Sequence, residues 1–241
     1  MIEKTPGIVL HQIKYGDTGL IVHLYTRRWG RLGILVQGAR SRSGKRKPAL
    51  FQPITLLELD IDHKSSRELQ QVREVRNFRP FVHLMADPVK SSIALFLAEI
   101  LYKVLREEES NPPLFDFIAD HLQLLDLAEE GVANFHLYFL VQLTRYLGFY
   151  PGEASGEPSL WFNLESGTFQ PDKPTAGLSF SPENGSLLQE FMQSPPARLA
   201  GIRLNRTQRN ELLEALLNYY RFHLEGFGEV KSLPVLTALF S

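Results

Sequence analysis

At Asp87-Pro88 the hydrophobic pattern of the chain changes period, and that switch limits the architectures open to it. Before it lie short apolar stretches divided by turn residues: GIVLHQIKY, a Gly16-Asp17 turn, GLIVHLYT, a turn at Arg28-Trp29-Gly30, then RLGILVQGA. After a basic loop, ITLLELDI alternates Leu57, Leu59 and Ile61 with Glu58, Asp60 and Asp62, the pattern of a half-buried strand. RELQQVREVRNF, residues 67 to 78, reads as a fifth strand, although Glu and Gln disfavour sheets. Five short antiparallel strands in under 80 residues predict a small closed barrel. The OB-fold is the commonest five-stranded barrel that takes oligonucleotides.

Beyond the switch the period is helical. Asp is a favoured N-cap and Pro suits the first helical position, so Asp87-Pro88 opens a helix. Its apolar face holds Ile93, Phe96, Leu97, Ile100, Leu101, Val104 and Leu105, and it ends at Arg106 and the Glu107–Glu109 run. A second helix starts at Pro113. A third, Val132 to Leu147, is apolar nearly all round and should be the buried, central one. Pro151 to Pro174 interrupts with Pro, Gly, Ser and Asp, and within it LWFNLESGTFQ predicts a hairpin turning at Glu165-Ser166-Gly167. Ser181-Pro182 opens a short helix through Met192, and Asn205 caps a long one bearing Leu212, Leu213, Leu216, Leu217, Tyr220 and Leu224. The expected class is α+β: a five-stranded OB-fold barrel over residues 1–80, then a helical domain over 81–241 with a small cysteine-free hairpin insertion at 151–174.

Net charge is −1, which conceals a division. Residues 1–80 carry 15 Lys and Arg against 7 Asp and Glu, and the remainder carries 11 against 20. No acid occurs between Asp17 and Glu58, and eight cations fall inside that window: Arg27, Arg28, Arg31, Arg40, Arg42, Lys45, Arg46 and Lys47. A solvated hairpin whose charge only aids solubility is the bland account. The flanking glycines, the strand pattern and the charge asymmetry point instead to a polyanion, because cations on phosphates release condensed counterions. Those eight residues are the candidate DNA contacts, and Trp29, beside a turn glycine, is the candidate for stacking on a base. A second basic group, Arg67, Arg73, Arg76 and Arg79, lies in the fifth strand and its exit.

Enzyme motifs are missing. There is no phosphate-binding glycine loop, GEASG at 152–156 has its serine misplaced for a nucleophile elbow, and the seven histidines form no paired zinc spacing. Glu58, Asp60, Asp62 and His63 could serve a metal-dependent nuclease, but the same alternation is expected of any wet strand face. His136 reads as a core histidine, not a ligand. With no cysteine there are no disulfides or thiolate metal sites. No stretch has the layout of a signal peptide or membrane span, so a cytoplasmic protein is expected, without catalytic or metal residues and with no membrane partner.

Three separated motifs resemble the bacterial RecO family of recombination mediators. The first is the opening barrel, with Thr26 and Gly30, Gly38-Ala39-Arg40 before the basic loop, and Leu50 to Pro53. The second is Leu147-Gly148-Phe149 at the end of the central helix. The third is the closing helix, with Tyr219-Tyr220, His223 and Lys231-Ser232-Leu233. The resemblance implies an OB-fold joined to a helical domain that binds single- and double-stranded DNA and anneals complementary strands. It also implies binding to RecR and to the acidic tail of single-stranded-DNA-binding protein, and help in loading RecA. It puts Arg40, Arg42, Lys45, Arg46 and Lys47 in the DNA-contacting loop. Many relatives carry a four-cysteine zinc module after Leu-Gly-Phe; here that place is taken by residues 151–174, so no zinc is expected. The acidic tail needs an apolar pocket rimmed by cations, for which Arg106 and Arg145 are the candidates. The alternatives are an OB-fold scaffold for RNA or acidic proteins, and the nuclease on Glu58, Asp60 and Asp62.

Overall fold

The computed structural model describes residues 2–39, 48–153, 160–175 and 177–239. Five strands, β1 (Ile2–Tyr15), β2 (Gly19–Thr26), β3 (Gly30–Val36), β4 (Leu56–Asp62) and β5 (Leu69–Asn77), close a barrel in the order β1-β2-β3-β5-β4. The chain is thus α+β with an OB-type barrel at its N-terminal end. One feature departs from expectation: β3 and β5 pair parallel, Gly33 to Leu69 and Leu35 to Gln71. A closed ring with an odd number of strands cannot alternate direction throughout, so one pair must run the same way. β1 is longer than GIVLHQIKY because it serves two neighbours. Its first half pairs with β4 (Ile2 to Asp62) and its second with β2 (Tyr15 to Gly19), with an irregularity between Val9 and His11.

Alternation puts Leu20, Val22, Leu24, Leu32, Ile34, Val36, Leu57, Leu59 and Ile61 inside, and Phe51, on a short 3-10 turn (Pro48–Phe51), completes the barrel core. The opposite alternates point outward. Asp87 caps α1 (Pro88–Val104), its carboxylate accepting from Val89 and Lys90 backbone N–H at 2.8 and 3.0 Å. α2 (Pro112–Leu127) follows. Packing groups both helices with the barrel in one compact unit, Met1–Leu127 with Val230–Ser232, although the hydrophobic period changes at Asp87-Pro88 and the expected boundary falls at residue 80. Asp126, 1% exposed, fastens the connection by accepting from Val82, His83 and Leu84 backbone N–H at 2.9, 2.8 and 2.5 Å. Burial pushes its carboxyl up, but those three donors bring it below the usual carboxylate range.

The second unit is Ala128–Glu229 with Leu233–Ser241. α3 (Phe135–Leu147) is buried along Phe135 to Thr144, as an all-round apolar helix must be. His136 is wholly enclosed, and burial pulls its imidazole down to about 3, so it stays neutral. Tyr219 and Tyr220 of α5 (Arg206–His223) donate hydroxyl bonds of 2.7 Å to Phe149 O and Leu140 O. The expected hairpin forms as β6 (Trp161–Asn163) and β7 (Thr168–Gln170), and β8 (Ser179–Phe180) adds a third strand beside β6. Phe162 meets Phe169, Phe180 and Tyr219 with ring centroids 4.8 to 5.3 Å apart, an aromatic cluster at the root of this sheet. α4 (Pro182–Gln193) is capped by Ser181, α5 by Asn205 through a capping box, and α6 (Leu233–Leu239) closes the chain.

Candidate nucleic-acid interface

The eight candidate cations do not share one environment. Arg40, Arg42, Lys45, Arg46 and Lys47 lie outside the described residues. The other three sit at the β2–β3 turn, and each has an internal partner. Arg27 clasps Asp116 of α2 through Nε and Nη2, at 2.9 and 3.0 Å. That hydrogen bond holds the Asp116 carboxyl below its usual range. Arg28 pairs with Glu3. Arg31 donates from Nη1 to the carbonyls of Tyr102 and Leu105 at 2.9 and 2.8 Å, over the Tyr102 ring at 4.2 Å, and so satisfies the C-terminal carbonyls of α1. It is a strut between barrel and helix, a role its place in a basic cluster did not reveal.

An acidic strap seals the same end. The segment after α1, Glu107–Glu109, runs across the turn: Arg31 N–H donates to Glu107 O at 2.8 Å and Ser110 Oγ to Arg27 O at 3.1 Å. Gly30 makes this approach feasible. Its φ is +63°, and a Cβ there would collide with the Glu107 and Glu109 carbonyl oxygens. Trp29, expected to be exposed, is half-buried; its ring stacks on His63 at 4.7 Å and 7°, with the Arg28 guanidinium 5.5 Å above it. The indole offers its flat surface to the protein first.

The carboxylate stripe on β4 has cations beside it. Asp60 lies opposite Lys4, Glu58 opposite Arg76, and Arg67 reaches Asp62 at 3.6 Å. Among the described residues no group of three His, Asp or Glu is placed to hold a metal ion. Within the second basic group, Arg76 pairs with Glu74 and Arg79 with Asp120.

A cleft of about 630 Å³ opens between the barrel and α1, lined by Leu10, Pro53, Leu95, Ala98 and Tyr102 and edged by Arg31, Lys103, Arg106 and Lys231. Glu99 is also on its wall, but its carboxylate is engaged by the backbone N–H groups of Lys231 and Ser232, each at 2.8 Å, and by Ser232 Oγ at 2.6 Å. Burial and the Arg31 charge lower the imidazoles of His11 and His23, which face Tyr102 at 4.8 and 5.6 Å. Of the two arginines expected to rim an apolar pocket, Arg106 does so. Arg145 instead donates to Tyr150 Oη at 2.6 Å and lies over that ring. Lys103 and Lys231 were missed because 128 residues separate them in the chain.

An OB-type barrel with a basic sector, joined to a helical C-terminal part, defines a class of oligonucleotide-binding architectures. Two family models match the chain: "Recombination protein O N terminal" over residues 1–81 and "Recombination protein O C terminal" over residues 85–234. Proteins called DNA repair protein RecO are similar over their whole length. That of Phocaeicola vulgatus is 39% identical over 241 residues, and that of Bacteroides fragilis 40% over 241, with all of each chain covered. That of Azobacteroides pseudotrichonymphae is 32% identical over 240 residues, again covering both chains fully. The chain belongs to the RecO family of DNA repair and recombination proteins. No helix among the described residues is long and apolar enough to cross a membrane.

Proposed function

We propose that this protein is a cytoplasmic, non-enzymatic recombination mediator. It binds single- and double-stranded DNA, anneals complementary strands and, with RecR, helps RecA onto strands coated by single-stranded-DNA-binding protein. The observation that carries this reading is the acid-free basic sector on an OB-type barrel in a chain matched over residues 1–81 and 85–234 by RecO domains. The mechanism is electrostatic. Cations of the run Arg40, Arg42, Lys45, Arg46 and Lys47 neutralise backbone phosphates, which lowers the repulsion between two strands and lets their bases pair. Such contacts read no sequence.

The cation-edged cleft beside α1 supports docking of the acidic tail of single-stranded-DNA-binding protein. Its apolar lining is aliphatic apart from Tyr102, whose ring already meets Arg31 and His11, the other ring on the wall. That leaves little flat aromatic surface for a base and suits an apolar side chain next to a carboxylate. Glu99 is already engaged and adds little repulsion. No zinc enters this scheme, since the chain has no cysteine and the β6-β7-β8 sheet is built around an aromatic cluster.

Fluorescence anisotropy of a labelled single-stranded oligonucleotide, titrated at several salt concentrations, tests the reading. Binding should weaken steeply with salt, with a log–log slope of roughly −0.7 per phosphate contact. An absence of binding at low salt would refute it and favour a scaffold for acidic proteins.

A further inference from the structure

The outward face of β1, β2 and β3 is only partly covered by helices. At one end, Tyr25 lies on Phe115 of α2, and His11 and His23 lie against Tyr102 of α1. Toward the other end the register sets Ile13 opposite Ile21 and Ile21 opposite Leu35, an aliphatic row across three strands. Directly opposed side chains in such a sheet are about 5 Å apart, close enough to form a continuous surface. One step further, Tyr15 pairs with Gly19 at the root of the β1–β2 turn. A Cβ on Gly19 would meet the Tyr15 carbonyl oxygen at 2.7 Å, and the Tyr15 ring lies within ordinary contact distance of that position, 3.5 Å away. Ile13 is 45% and Tyr15 54% exposed.

We propose that Tyr15, with Ile13 and Ile21 beside it, is a stacking platform for the bases of single-stranded nucleic acid. The inference rests on the DNA-binding reading above and adds to it a base contact. Three observations favour this occupant. First, the chain on either side of the hairpin is poor in acid: Asp17 is the one acid between Glu3 and Glu58. Second, β3 ends with Val36 opposite Leu20, so Gln37 to Ala39 carry the chain toward the basic run from this same end of the barrel. Third, the open row is a handful of side chains, far short of the roughly 800 Å² per partner of a stable protein interface, yet ample for one or two bases. A ring on a sheet with cations nearby is how sequence-tolerant single-strand binders hold bases.

The test compares Tyr15→Ala and Tyr15→Phe with the unaltered protein on two labelled probes, an oligothymidylate and a chain of abasic sites of equal length. Tyr15→Ala should weaken binding to oligothymidylate about tenfold and leave abasic binding and the salt slope unchanged, since a stack contributes base energy and no phosphate contact. Tyr15→Phe should keep full affinity, because only the ring is needed. The exposed side chain should leave the thermal unfolding midpoint unmoved. Equal affinity of Tyr15→Ala and the unaltered protein for oligothymidylate, or equal loss on both probes, overturns the platform while DNA binding stands. If the unaltered protein binds neither probe at low salt, the DNA reading itself falls and the platform with it.

Discussion

The two ends of the barrel began as one basic sector and differ in what the fold does with the charge. At the β2–β3 end, Arg27, Arg28 and Arg31 meet Asp116, Glu3 and the last carbonyls of α1, with the Glu107–Glu109 strap across them. At the β1–β2 end, Ile13, Lys14 and Tyr15 stand exposed and the chain leaves for a run of five cations. Formal charge alone therefore overstates the capacity of the β2–β3 end for phosphate. A cation that already caps a helix must give up its carbonyls to bind DNA, which raises the cost of using it.

The sharpest way to break this comparison is to reverse charge at each end. Arg42→Glu with Lys45→Glu should lower single-strand affinity roughly a hundredfold at low salt and flatten the salt slope by about 1.4. Arg27→Glu with Arg28→Glu should cost less than about threefold, because those side chains already share their charge with carboxylates. Anisotropy titrations on both variants decide it; equal losses would make the sector uniform. Next in size is Arg31→Ala. It should lower unfolding free energy by about 2 kcal/mol, from two hydrogen bonds and a cation–π contact, with little change in DNA affinity while folded. Urea denaturation followed by circular dichroism measures the first quantity. Smaller again is the triple change of Glu107, Glu108 and Glu109 to Gln. Removing the strap's charge should raise affinity about two- to fivefold at low ionic strength, a gain that screening erases near 0.5 M salt.

The barrel was legible in the sequence because alternation and turn glycines are local signals. The helix starts were legible because Asp87, Ser181 and Asn205 announce themselves as caps within three residues. The parallel β3–β5 pair was not, since nothing in either strand records its neighbour; ring closure imposes it. The candidate cations were legible as a cluster, yet their engagement was not. The partners Asp116, Glu3 and the Tyr102 carbonyl lie 89, 25 and 71 residues away from Arg27, Arg28 and Arg31. Trp29 looked exposed because a turn glycine follows it, and His63, which its ring meets, is 34 positions on. Tyr15 had a signal that passed unused: Ile13 and Tyr15 continue the outward alternation of β1 up to the Gly16-Asp17 turn, past the residues that need covering.

The smallest effect concerns pH at the covered half of the outer face. His11 and His23 lie opposite each other on β1 and β2, rings 6.4 Å apart, with Tyr102 and the Arg31 charge beside them. Burial first, then Arg31, lowers both imidazoles below 6.5. The unfolded chain therefore binds these protons more readily than the folded one, so stability is full above about pH 6.5 and declines as pH falls toward the folded values. Acidification is thus expected to weaken the packing of the barrel on α1 beside Arg31. His11→Gln with His23→Gln should flatten the slope of stability against pH between 7 and 5, measured by urea denaturation at each pH. An unchanged slope would assign the acid response to other groups.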